Sequence, residues 1–373
     1  MTMDIDHLIF DAGDVVLQSG RTFPAMKIAY KTWGTLNADR SNVIVYPTSF
    51  SAQHHDTQWL IREGGILDPT RHFVIIPNLF GNGLSSSPSN TPWPLTGDRY
   101  PDVTYDRRLT FRSGECTFEL HHTRGETEDG TWTWVPERKI LHPGDLFIWA
   151  VPNAGNPQKV QRFAGEWAAG LREMAALGAE TMLPGHGFPI FGADRIRQAL
   201  TDSAELLESI EGQVLALMNQ GVTLDTVLHS VEYPAHLLEK PYLQPVYDDP
   251  QFLVRNVWRL YGGWWDGEPD NLLPAPRAEQ ARDWVALAGG LDAVMTRANA
   301  LLAEGNLRLA CHLAEFAVLA EPGSKAAHEL RAEAFGRRAK LEPSSMARNI
   351  LNHAALSSAR GVRDLASEYV RRA

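Results

Sequence analysis

The chain has 373 residues, 44% hydrophobic and 21% charged, so it has the composition of a folded globular protein with room for two or three domains, which excludes a disordered or fibrous one. A net charge of −10, with no Lys/Arg stripe interleaved with aromatics, argues against nucleic acid as a partner. Cys116 and Cys311 are the only cysteines, which excludes a disulfide framework and a thiolate zinc site and fits a reducing compartment.

The start, MTMDIDHLIFDAGD, is acidic where a signal peptide is basic, and no apolar run reaches the ~18 residues of a membrane span, so a cytoplasmic protein without a membrane partner is expected. Over residues 8–105 short apolar runs alternate with turn-rich stretches. The runs at 43–46 and 73–76 predict buried strands of an α/β sheet, preceded by two hairpin-like strands. Pro, Ser, Asn and Thr crowd residues 86–104, which predicts a long loop and a boundary. From Arg108, LTFRSGECTFELHHT and TWTWVPERKILHPGDLFIWA read as strands, the second broken by a turn between Val135 and Ile140. The stretch KVQRFAGEWAAGLREMAAL predicts a core helix with Val160, Phe163, Trp167 and Leu171 on one face. Another helix is expected over 201–220, capped by Asp/Ser, striped by Leu206, Ile210, Val214 and Leu217, and stopped at Gly221. Trp258, Trp264 and Trp265 read as core or interface anchors, and 276–371 as almost entirely helical. Within that region ANALLAEGNLRLACHLAEFAVLAEPGSKAAHELRAEAFGRRA resembles one tetratricopeptide-like hairpin, a scaffold or subunit contact.

Chemistry concentrates in residues 121–186, where Glu126, Asp145 and His186 each follow a predicted strand in a Gly-containing turn. Two carboxylates and an imidazole are half of a binuclear zinc site, able to polarise a sulfate or phosphate oxygen. The same residues also suit a turn cap, a solvated carboxylate and a loop imidazole bonded to backbone.

The run GETEDGTWTWVPERKILHPGDLFIW resembles the metallo-β-lactamase strand pair in which an H-T-P-G-H-T turn precedes G-D-x-x-F; His122, Thr123, Gly125 and Thr127 match, and Glu126 stands for the ligand histidine. That glutamate points to the alkyl sulfatases, as does NVWRLYGGWWDGEPDNLLPA, which resembles the opening of their dimerisation domain; LPGHGFPI resembles the family's last ligand loop. The resemblance runs over about residues 107–355. It implies a zinc-dependent hydrolase of sulfate esters and a homodimer formed through the helical domain. Glu126, Asp145 and His186 would then be metal ligands, with Asp145 bridging, and Asn153 and Lys159 would contact the sulfate of a small-molecule ester. The family's H-x-H-x-D-H is absent, since no two of the 13 histidines are spaced H-x-H.

Residues 8–105 resemble the first third of homoserine O-acetyltransferase-like α/β-hydrolases, through FPAMKIAYKTWGTLN, PTSFSAQHHDTQWLI, ILDPTRHFVIIPNLFGNGLSSSPSN and YPDVTYD. There QHHD belongs to a loop on the oxyanion side, which gives His54 and His55 a local role. No G-x-S-x-G nucleophile elbow occurs. The expected fold class is therefore α/β. A truncated α/β-hydrolase-like segment (1–106) would precede the C-terminal half of a metallo-β-lactamase-like domain (107–200) and an all-α dimerisation domain (201–373). Two further functions stay open: a non-catalytic dimerising protein, and an acyltransferase or esterase built on the N-terminal segment.

Overall fold

The structure is a computed structural model that describes residues 6–16, 22–49, 52–87, 90–91 and 103–365. The loop expected over 86–104 lies largely outside the described residues. The chain forms two units, Met1–Val103 and Thr104–Ala373, each described by itself.

In the first unit, β1 (Leu8–Val16) and β2 (Thr22–Trp33) form the expected antiparallel pair. Strand β2 also pairs antiparallel with β4 (Phe73–Pro77), which pairs parallel with β3 (Val43–Val45), giving the order β1-β2-β4-β3. Val74 and Ile76 of β4 are fully buried as expected, and with Leu67 they make the small core. Strand β3 corrects the sequence reading: Val43 and Val45 are exposed, and among the described residues β3 is an edge strand bonded only to β4. A single helical turn, α1 (His54–Thr57), follows β3.

The second unit opens with β5 (Arg108–Ser113), β6 (Cys116–His122), β7 (Thr131–Val135) and β8 (Ile140–Ile148), a meander of antiparallel neighbours. Helix α2 (Ala164–Ala175) returns the chain to β9 (Thr181–His186), which runs parallel to β8, and β10 (Ile190–Phe191) closes the order β10-β9-β8-β7-β6-β5. Phe163, Trp167 and Leu171 are buried on the inner side of α2. Val160 is 74% exposed, contrary to the reading, because α2 starts at Ala164 and Val160 lies before it.

Helix α3 (Ala193–Met218) begins eight residues before its expected start. The apolar stripe extends backwards through Ile196, Ala199 and Leu200, and the supposed caps serve inside the helix: Ser203 Oγ donates to the Ala199 carbonyl and Asp202 accepts from the Tyr242 hydroxyl. Leu206, Ile210 and Val214 are buried as predicted. Helices α4 (Leu224–Ser230), α5 (Ala235–Leu238) and α6 (Pro250–Gly262) complete this layer, and one apolar core joins sheet, α2, α3 and α6 around Trp132, Phe147, Trp167 and Leu207. Trp258 is buried in that core, whereas Trp264 and Trp265 are exposed.

The remainder is helical: α7 (Arg277–Leu287), α8 (Leu291–Ala303), α9 (Leu307–Ala320), α10 (Lys325–Leu341) and α11 (Ser345–Ala359). Asn306, Ser324 and Ser344 cap α9, α10 and α11 by accepting backbone N–H groups that the first turn leaves unpaired. Small residues at the seams, Ala298, Ala310, Ala314 and Ala334, are fully buried and let α8, α9 and α10 approach closely. No helix among the described residues is long and apolar enough to cross a membrane.

Candidate active site

The β6–β7 loop is pinned before it reaches Glu126. Thr123 Oγ1 accepts the indole N–H of Trp132 at 3.0 Å, and the Gly125 carbonyl accepts the Phe163 N–H. A Cβ on Gly125 would meet Leu146 Cδ2 at 2.4 Å, so only glycine lets the loop lie on the core here. Glu126 then enters a half-buried position between the sheet and the segment leading into α2. Asn153 Nδ2 and Arg162 both engage its Oε1, Arg162 Nη2 at 3.3 Å, and Arg162 Nη1 donates to its backbone carbonyl. Burial pushes the Glu126 carboxyl upward, and Asp145 adds to this, while Arg162 and Asn153 pull it back.

Asp145 sits inside β8 rather than beyond it, a correction to the reading: the ladder with β9 resumes at Gly144 after an irregularity, and Gly144 has φ 57°. His186 ends β9. Parallel pairing of Gly144 with Pro184 and of Ile148 with His186 brings the two side chains together, His186 Nε2 lying 3.5 Å from Asp145 Oδ1. A Cβ on Gly185 would come 2.0 Å from Asp145 Oδ1, so that glycine keeps the carboxylate in place.

Glu126, Asp145, Asn153 and His186 line one cleft of about 430 Å³, together with Trp149 and Tyr247. Four of the five residues singled out in the sequence therefore converge. Lys159 does not join them: it is exposed on the segment before α2 and is not among the lining residues. The sequence reading missed Arg162, Tyr247 and Asp248. Arg162 is 4% exposed and its segment is held by α6, where Asn256 Nδ2 donates to the Arg162 carbonyl and Gln161 Nε2 donates to Asn256 Oδ1. Only the fold brings it to Glu126, 36 positions away, and no spacing signals this.

Ligand lengths near 2 Å around tetrahedral zinc place neighbouring donor atoms about 3.3 Å apart. The Asp145–His186 separation of 3.5 Å is close to that spacing for one pair of donors. Among the described residues no group of three His, Cys, Asp or Glu side chains is placed to hold a metal ion, so these two donors do not by themselves complete a site. Among the described residues, Asn153 Oδ1 and Arg162 Nε are both buried without a hydrogen-bond partner.

Burial pushes the Tyr247 phenol upward, aided by Glu126 and Asp248, which keeps it a donor at neutral pH. Beneath it, Asp248 is fully buried, accepts the Gly155 and Asp249 N–H groups, and is pushed by burial up to about 7. The unfolded chain titrates this group near 3.8, so its contribution to stability is complete below that value and is lost as pH rises towards about 7. Asp248→Asn is expected to flatten this slope. Urea midpoints at about pH 4.5 and about pH 7.5 test it, and an unchanged difference between variant and parent would contradict it.

In the first unit, His54 is buried, with Nε2 3.0 Å from an Asp6 oxygen and Nδ1 facing Asn78 Nδ2, while Asp56 accepts the Gln53 N–H. These are local roles, as expected. The three serines after Gly83 are buried and structural: Ser85 Oγ donates to the Asn78 carbonyl, Ser86 Oγ accepts the Lys27 N–H and Ser87 Oγ donates to the Ser85 carbonyl.

Residues 223–361 match the family model described as alkyl sulfatase dimerisation. A linear primary-alkylsulfatase of Pseudomonas sp. (strain ATCC 19151) is 30% identical over 240 residues, covering 64% of this chain and 46% of the relative. The solved structure of the stereoselective inverting sec-alkylsulfatase Pisa1 from Pseudomonas sp. superposes with a TM-score of 0.66 at 28% identity, covering 70% of this chain and 43% of that one. The chain thus spans less than half the length of these alkylsulfatases. Separately, an ethyl acetate hydrolase of Pseudomonas veronii is 40% identical over 96 residues, 26% of this chain and 28% of its own. Residues 107–355 accordingly resemble the alkyl sulfatases together with their dimerisation domain, joined to an N-terminal segment that resembles the esterase and homoserine O-acetyltransferase group.

Proposed function

We propose that the protein is an alkyl-sulfatase-like hydrolase acting on a sulfate ester in the cleft between β8, β9 and the β6–β7 loop. The observation that carries this is the convergence of Glu126, Asp145, Asn153 and His186, spread over 60 positions, on a single cleft. Asp145 and His186 would hold one zinc ion, with Glu126 beside it. When bound, zinc supplies a Lewis acid for a sulfate oxygen and lowers the pKa of coordinated water. Asn153 offers a buried amide and Tyr247 a phenol for the sulfate oxygens, and Ile148, Trp149 and Val246 offer apolar walls for an aliphatic chain. Lys159, outside the lining, is assigned no role. Residues 223–361 would join two copies into a homodimer.

Sulfate release from a linear primary and a secondary alkyl sulfate is the test, with zinc-loaded protein and with the His186→Ala variant. Release by the parent and its loss in the variant are expected. No release from either ester, with under ~0.2 zinc equivalents retained after loading, would refute the proposal, because a site too weak to keep its ion cannot organise it.

A second reading, a non-catalytic dimerising protein, draws on the missing three-residue metal group. It differs in its outcome: a dimer by light scattering, unaffected by His186→Ala, with no sulfate released by the parent.

A further inference from the structure

Trp149 is a wall of two cavities at once. One is the cleft of about 430 Å³ already described. The other is a groove of about 280 Å³ lined by Pro189, Ile190, Phe191, Pro241 and Tyr242, and of its described lining only Arg195 is charged. The indole is held from several directions. Its N–H donates to the Phe188 carbonyl at 2.8 Å, and its ring meets Phe188 and Tyr242 edge-on, with centroids 6.4 and 6.3 Å away. Tyr242 is itself tied down, its hydroxyl donating to Asp202 Oδ2 at 2.6 Å. Gly187, at φ 99°, lays the backbone against the ring: a Cβ there would lie 2.1 Å from Trp149 Cδ1. Swinging the ring aside for a ligand forfeits all of these contacts, so the wall is a fixed one.

We propose that Trp149 sets the length limit of the organic group the cleft accepts. The chain of an ester packs along Ile148 and Val246 until it meets this ring, and the groove beyond is closed to it, so the substrates are esters of short alcohols. This rests on the reading of the cleft as the seat of an ester with an aliphatic chain. At about 430 Å³ the cleft is near the small end of small-molecule sites, which run from about 300 to 1,000 Å³, and it must take the acid group as well as the chain. Few carbons therefore remain before the ring. Each methylene buried against an apolar wall strengthens binding ~4-fold, whereas one that runs past the wall into water buries nothing. With Trp149 truncated, the two volumes join and the next methylenes enter the apolar groove.

Dissociation constants of n-alkyl sulfonates and the matching n-alkanols, butyl to decyl, measured on the full chain by ligand-observed NMR titration, test the proposal. The sulfonates carry an anionic head like that of a sulfate ester without the bond to be cleaved, and the alkanols carry the chain alone. In the parent, affinity should climb ~4-fold per methylene and then level off within the series. Trp149→Ala should bind the shortest chains more weakly, having lost a wall, yet keep climbing for ~3 further methylenes, so that its decyl-to-butyl ratio exceeds the parent's by more than ~30-fold. A merely structural loss would weaken every chain length by the same factor and leave the levelling point where it was. Trp149→Phe, which keeps a smaller ring at the wall, should move that point by one or two methylenes, and it decides the matter if Trp149→Ala does not fold. A parent series that climbs without levelling, a levelling point unmoved in the variants, or no binding by either series would overturn the proposal. Alkanols that show the levelling point while no sulfonate binds would uphold the length limit and remove the functional reading instead.

Discussion

Trp167→Ala is expected to destabilise the second unit by about 3–5 kcal/mol, the range for truncating a fully buried large aromatic. Trp167 has no exposed surface and sits on α2 at the centre of the core that joins sheet and helices. Its indole N–H donates to the Leu146 carbonyl at 2.8 Å, next to Asp145, so truncation leaves both a cavity and a buried acceptor unpaired. Its ring also abuts Gly125, where an added Cβ would lie 3.2 Å from it, so the loop carrying Glu126 loses its floor. Urea denaturation followed by far-UV circular dichroism measures the loss. A shift below about 1 kcal/mol would contradict the packing described, since cavities of this size rarely collapse so completely.

Arg331→Ala is expected to cost about 3–5 kcal/mol in the helical region, because it breaks a buried ion pair and leaves Glu315 with only the half-exposed Arg363. Arg331 of α10 is 4% exposed and its Nε donates to Glu315 Oε2 of α9 at 2.6 Å. Its Nη1 donates further to the Ala354 carbonyl and Ser358 Oγ of α11, so one side chain ties three helices. Burial pushes Glu315 up, yet the bonds from Arg331 and Arg363 hold its carboxyl below the usual range. Replacing Glu315 and Arg331 together by methionine should be milder than Arg331→Ala alone, since the charge that then loses its partner, on Arg363, is half-exposed to water. Equal losses in thermal unfolding of the two variants would show that packing, not charge, dominates here.

Much of this organisation was legible in the sequence because it rests on local patterns. The extended character of CTFELHH and TWTWV and the stripe Leu206, Ile210 and Val214 are local patterns, and each matches the structure. Glu126, Asp145 and His186 were visible as polar residues beside Gly in and around strands, and the β6–β7 loop, the interior of β8 and the end of β9 bring them to one cleft. What failed was what depends on neighbours. Whether β3 is central or at an edge is decided by pairing, which a short apolar run does not encode, so Val43 and Val45 were misplaced. The start of α3 was misjudged because Asp202 and Ser203 have the chemistry of caps, while tertiary partners, Tyr242 and the Ala199 carbonyl, satisfy them inside the helix. Arg162 was invisible for the same reason. Its identity as the cation opposite Glu126 comes from α6 pressing the 161–162 segment against the β6–β7 loop, a contact between positions nearly 100 apart.

The central claim is that Asp145 and His186 form the metal-holding edge of an alkyl-sulfatase-like cleft. Diffraction from crystals of the zinc-loaded chain, collected on both sides of the zinc absorption edge, tests it most directly. The account predicts one anomalous peak per chain, about 2 Å from both Asp145 Oδ1 and His186 Nε2. No peak in the cleft, or a peak bound to neither Asp145 nor His186, would contradict it.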